Sequence, residues 1–128
     1  MIKGFEMKTE SAIYIKDGHL PSGESVDFIG AILDGVKKGE TRRHKSLTRK
    51  WVGIVKGDRV VGRVRFGEPV AIDEHSPQYR DAMIEGTEYD VRPGKAVYYY
   101  PVLEVMDFRD SPKPVVAHGH YAKYERSF

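Results

Sequence analysis

The chain has 128 residues, 40% of them hydrophobic and none of them cysteine. That length supplies one domain's core and not two. The lack of cysteine excludes disulfide scaffolds, thiol nucleophiles and thiolate zinc sites. With 21 Lys+Arg against 19 Asp+Glu the formal charge is +2, a total that fits neither a histone-like binder nor an acidic solvating tail. The charges are segregated, however. Residues 37–65 hold eleven Lys or Arg and two acids, a net +9, while the rest of the chain holds ten basic and seventeen acidic residues, a net −7.

The opening MIKGFEMKTESAIYI lacks the apolar run of a signal peptide, and no stretch approaches the roughly 18 apolar residues of a membrane span. A cytoplasmic protein is the expectation. The residues call for no cofactor. Ser11–Lys16 is rich in β-formers and ends at the turn pair Asp17-Gly18, so a strand is predicted there, followed by a loop over Leu20–Glu24. Val26, Ile29, Ile32/Leu33 and Val36 then recur at helical spacing. Ser25 is a candidate cap, Lys37 and Lys38 suit the last turn, and Gly39 suits the stop, with Asp34-Gly35 offering an earlier one.

Thr41–Lys50 has no apolar periodicity and predicts a loop or an irregular strand. Trp51–Val55 and Arg59–Phe66 predict a hairpin across Lys56-Gly57-Asp58. In its second arm Val60, Gly62, Val64 and Phe66 alternate with Arg59, Val61, Arg63 and Arg65, which places the arginines on an outward face. Pro69–Ile72 predicts a short strand, and Ser76–Glu85 a second helix, with Ser76 as cap and Pro77 in its first turn. Ala96–Met106 is the longest β-type run. Val97, Tyr99, Leu103 and Val105 form its apolar face, and Pro101 marks an edge or a bulge. Val115–Ala117 is the last strand candidate. One domain follows, with a core of about residues 11–117 and a tail over 118–128. Hairpins predominate and helices do not separate the strands regularly, so the predicted class is α+β, a small mixed β-barrel with two helices.

The junction after the first helix reads Gly35-Val36-Lys37-Lys38-Gly39-Glu40-Thr41-Arg42 and fits the pattern GxKxxExR at every fixed position. It resembles the motif of the ASCH domain, the activating signal cointegrator homology family, whose barrel is related to the RNA-binding PUA domains. GRVRFGEPV and YYYPVLEVMDF suit the strands that follow the motif in that family, and the resemblance covers most of residues 11–117. It implies a PUA-like barrel that binds RNA or a nucleotide-like ligand in a cleft beside the motif. Some small bacterial members of the family hydrolyse N4-acylated cytidine. In them the motif lysine, here Lys37, is the proposed base, working with a threonine at the position that is Glu40 here and with a glutamate further along the chain.

Physically, burial and neighbouring cations lower a lysine's proton affinity, which would suit Lys37 to act as a base; Glu40 opposes that, and equally suits an ion pair with Lys37 or Arg42 that fixes the cleft wall. The run Arg42, Arg43, Lys45, Arg49, Lys50 and Trp51, extended by Arg63 and Arg65, combines phosphate-binding cations with an aromatic that can stack on a base or pack in a core. Tyr99 is assigned to the core, and Tyr98 and Tyr100 to the opposite face. His118 and His120 lie on one side of an extended segment without a third metal ligand. Asp73, Glu74, His75, Glu85 and Glu88 are further acid–base candidates without rank. Two main readings remain. One is a nucleic-acid-binding module through Lys37, Glu40, Arg42 and the basic run. The other is a small hydrolase, an amidohydrolase or a ribonuclease, using Lys37 and Glu40. A protein-interaction module that uses the acidic remainder is a third.

Overall fold

The computed structural model describes residues 8–43, 47, 51–73, 75–77, 97–118 and 122–125. In chain order these form β1 (Thr9–Tyr14), β2 (Gly18–His19), β3 (Ser25–Val26), α1 (Phe28–Leu33), β4 (Gly39–Arg42), β5 (Trp51–Lys56), β6 (Arg59–Phe66), β7 (Val70–Ile72), β8 (Val97–Asp107), β9 (Lys113–Ala117) and β10 (Ala122–Glu125). The main sheet runs β4-β8-β6-β5-β1-β10-β9, with β7 beside β8. β9 returns to β6 through Arg59↔Pro114 and Val60↔Lys113, so β6, β5, β1, β10 and β9 close into a ring. The β1–β5 pair is parallel, and the other pairs are antiparallel. This is a β-rich α+β fold with a partly closed sheet. Among the described residues there is one helix; most of the segment predicted as the second, Ser76–Glu85, lies outside them. No helix among them is long and apolar enough to cross a membrane.

The strands bury both faces. On one, Ile13, Val52, Ile54, Val64 and Phe66 pack against Ile29, Ile32 and Leu33 of α1. On the other, Ala12, Val55, Val60, Ala122 and Tyr124 cluster with Val115. All five strands of the ring contribute to this second group, so it fills the ring's interior. The predicted β5–β6 hairpin is present, with Gly57 at a φ of +65° in its turn. The simple alternation predicted for β6 does not hold, because the register slips between Ile54 and Val55. Val61 is the extra residue of this bulge, so Val60 turns into the ring while Val61 and Val64 face α1.

α1 is shorter than its apolar spacing predicts. Asp27, not Ser25, caps it, accepting from Gly30 N at 3.0 Å, because Ser25 is committed to β3. At the other end Gly35 takes a φ of +77°. Gly35 N–H donates to Ile32 O at 3.1 Å and Val36 N–H to Ala31 O at 2.8 Å, the pair of bonds that defines a Schellman ending. Lys37 and Lys38 therefore lie beyond the helix, and the earlier stop at Asp34-Gly35 is the one used.

β8 is paired by β4 and β7 over Val97–Pro101 and by β6 from Val102 onward. Pro101 falls where β7 has ended and β6 has not begun, so its missing N–H breaks no ladder bond. Beside it the register slips, with Phe66 opposite Val102 and Arg65 opposite Glu104. That bulge turns Leu103 out to 50% exposure, so Leu103 is not part of the apolar face. β10, within the segment read as a C-terminal tail, is the strand that links β1 to β9.

Candidate functional site

The geometry of GxKxxExR follows from the helix ending. Only a residue without a Cβ adopts Gly35's left-handed conformation cheaply, and the reversal it makes carries the chain back toward the core. Lys37 enters there and is 2% exposed. Its Nζ donates to Gly39 O and, at 3.5 Å, to Glu40 Oε1. It also lies 5.0 Å from the centre of the Phe28 ring, which packs so close to Gly18 that a Cβ there would collide with it. Burial lowers the proton affinity of Lys37; the Glu40 carboxylate opposes the shift and Arg42 adds to it.

Glu40 and Arg42 are carried by β4, opposite Tyr100 and Tyr98. Directly opposed residues share a face of the sheet, so these four side chains form one row. The buried Glu40 carboxylate accepts from Thr41 N–H at 3.0 Å through Oε1 and faces Arg42 Nη2 at 3.6 Å through Oε2. Arg42 is anchored by Nη2 to the Tyr14 carbonyl at 2.8 Å, and its Nε is buried without a protein acceptor. Gly39, on the other face, is covered by the Tyr99 ring, whose Cε2 lies 2.2 Å from where a Cβ would stand. Lys37, Glu40 and Arg42 thus form one linked group.

The basic run behaves differently. Arg43 is exposed. Lys45, Arg49 and Lys50 lie outside the described residues. Arg63, predicted on an outward face, is buried at 7% exposure. It projects to the ring side of β6, donates to Glu10 from Nε at 3.0 Å and from Nη2 at 2.5 Å, and packs its guanidinium 4.3 Å from the Trp51 ring centre. Trp51 is accordingly half-buried under a protein cation. Arg65 stays partly exposed but pairs with Glu104 at 2.6 Å, and Lys56 pairs with Asp27 at 3.3 Å. Folding brings acids from outside the +9 block onto it, so much of its charge is met within the protein.

Tyr100, assigned to a surface, is fully buried in the α1 core, where its hydroxyl accepts from Leu47 N at 3.4 Å; Tyr99 is buried as predicted and Tyr98 is half-buried beside Arg42. His118 Nδ1 lies 3.4 Å from the Tyr14 hydroxyl. Asp73 belongs to a turn in which Ser76 N–H donates to its main-chain carbonyl, and His75 N–H and then the Ser76 hydroxyl, both donating to its carboxylate, hold that carboxyl below the usual range. Glu74, Glu85, Glu88 and His120 lie outside the described residues. Sequence reasoning missed Glu10, Phe28, Tyr124 and the Tyr14 carbonyl. The roles of Glu10, Tyr124 and the Tyr14 carbonyl arise from strand pairing across long separations, and that of Phe28 from the reversal after α1 that brings Lys37 back over its ring.

The chain was compared with models of known families, with curated proteins and with solved structures, and no match was found.

Proposed function

We propose that this chain is an ASCH-like, PUA-related module that binds RNA, or a nucleotide-like ligand, on the surface beside Gly35–Arg42. The observation that carries the reading is the linkage of the motif's residues: Lys37, Glu40 and Arg42 meet in one group at the edge of the sheet, with Arg42 27% exposed and Arg43 exposed directly after it. The order of strand, helix, motif and basic hairpin, and a partly closed sheet, are compatible with the family's barrel. The cationic surface of this reading is narrower than the charge run: Arg42 and Arg43 belong to it, Arg65 only in competition with Glu104, and Arg63 not at all. Fluorescence anisotropy with single-stranded RNA at low salt tests it. Binding that weakens as salt rises is expected, and no binding by the folded protein refutes it.

One observation favours the hydrolase reading, the lowered proton affinity of Lys37. The same burial opposes it, since Nζ is enclosed by Gly39 O, Glu40 and Phe28 and a base must reach the proton it removes. Release of acetate from N4-acetylcytidine, lost in Lys37→Ala, would restore that reading.

A further inference from the structure

Within GxKxxExR the polar side chains do not share one task. The ladder of β4 on β8 makes this visible. Val102 N–H donates to Lys38 O, and Gly39 stands opposite Pro101, which has no N–H to give. In an antiparallel pair, residues that bond to the neighbouring strand alternate with residues whose backbone groups point the other way. Lys38, Glu40 and Arg42 therefore direct their backbone groups toward β8, and Gly39 and Thr41 direct theirs outward. Among the described residues no strand pairs with that outward edge.

Two of the groups on it are nevertheless met. Gly39 O accepts from the Lys37 ammonium, and Thr41 N–H donates to the Glu40 carboxylate at 3.0 Å. One cation and one anion, three residues apart, supply the acceptor's donor and the donor's acceptor along a strand edge that would otherwise be buried with unmet polar groups or open to another chain. Lys37 and Glu40 are then committed to the backbone. Both are buried, and Arg42 is the member that keeps exposed surface. Its Nη2 is held by the Tyr14 carbonyl and its Nε is buried, but the side chain as a whole is 27% exposed.

We propose that Lys37 and Glu40 are positioning residues that seal the outer edge of β4, and that Arg42 is the motif's ligand-contacting residue, through the exposed part of its guanidinium. The second half rests on the RNA-binding reading above; the first does not.

Amide hydrogen exchange on the full chain tests the first half. Glu40→Ala accelerates exchange at Thr41 tenfold or more beyond any global change, and Glu40→Gln, which keeps an acceptor oxygen without the charge, retains most of the protection. Equal loss in both variants, or no loss in either, overturns the assignment. Should Glu40→Ala not fold, the wild-type protein still decides: a scalar coupling across the hydrogen bond links the Thr41 amide to the Glu40 side-chain carboxyl carbon, and its absence overturns the assignment. For the second half, Arg42→Lys keeps the charge but loses the planar set of guanidinium N–H donors. It weakens binding to a single-stranded RNA oligonucleotide at least tenfold with the fold retained. Unchanged affinity in Arg42→Lys overturns the ligand-contacting role of the guanidinium. If the wild-type protein binds no RNA, the RNA reading and the assignment of Arg42 fall together, while the exchange data still decide the role of Lys37 and Glu40.

Discussion

Arg63 and Glu10 lie on β6 and β1, 53 residues apart in sequence, and meet as a two-pronged ion pair whose side chains are both almost fully buried. The Tyr124 hydroxyl donates to the same carboxylate, and Trp51 covers the guanidinium. β1, β5, β6 and β10 are thereby joined through one cluster at the ring. A basic residue counted as part of a nucleic-acid surface is in fact part of the barrel's closure.

Removing one partner of this pair leaves the other charged and buried. Arg63→Met is expected to cost about 3–5 kcal/mol in urea unfolding, and Glu10→Met a similar amount. The double variant recovers most of that loss, because two apolar side chains need no partner. Additive losses in the double variant would contradict the cluster.

Gly35→Ala tests the helix ending. A Cβ at a φ of +77° opposes the reversal that sends Lys37 inward, and the expected loss is about 1 kcal/mol in denaturant unfolding. Gly39→Ala loses more, since its Cβ falls on the Tyr99 ring. A neutral Gly35→Ala would mean that the reversal does not depend on glycine.

The Tyr124 phenol carries a pH signature. Burial first, then the Glu10 carboxylate, raises its pKa above the ordinary 10.0. The folded state therefore holds this proton more tightly than the unfolded chain does. Its stabilising contribution is full below pH 10 and is lost as pH climbs beyond it. Unfolding midpoints measured from pH 8 to 11 should fall more steeply in the wild type than in Tyr124→Phe. Parallel profiles would contradict the shift.

These residues also mark how far the sequence could be read. The hairpin of β5 and β6, the long strand β8 and the reversal at Gly35 follow from local rules of alternation and glycine conformation, and all three were legible. Two bulges were not. The slip at Val61 and the slip at Leu103 each move one residue to the other face, and a pattern of period two carries no mark of an inserted residue. β10 was missed because Ala122–Glu125 is four residues long and becomes a strand through its partners β1 and β9. At the site, the grouping of Lys37, Glu40 and Arg42 was legible from spacing. The burial of Arg63 was not, because its partner Glu10 lies 53 residues away and is brought near by the parallel β1–β5 pairing.

The most direct measurement for the RNA-binding proposal is an anisotropy titration of single-stranded RNA over a range of salt, on the wild type and on Arg43→Gln. The wild-type affinity should fall linearly in log–log form, and Arg43→Gln should shallow that slope by about 0.7, the share of one phosphate contact on a single strand. Absence of binding by the folded wild type at low salt, or a slope that Arg43→Gln leaves unchanged, would contradict the proposal.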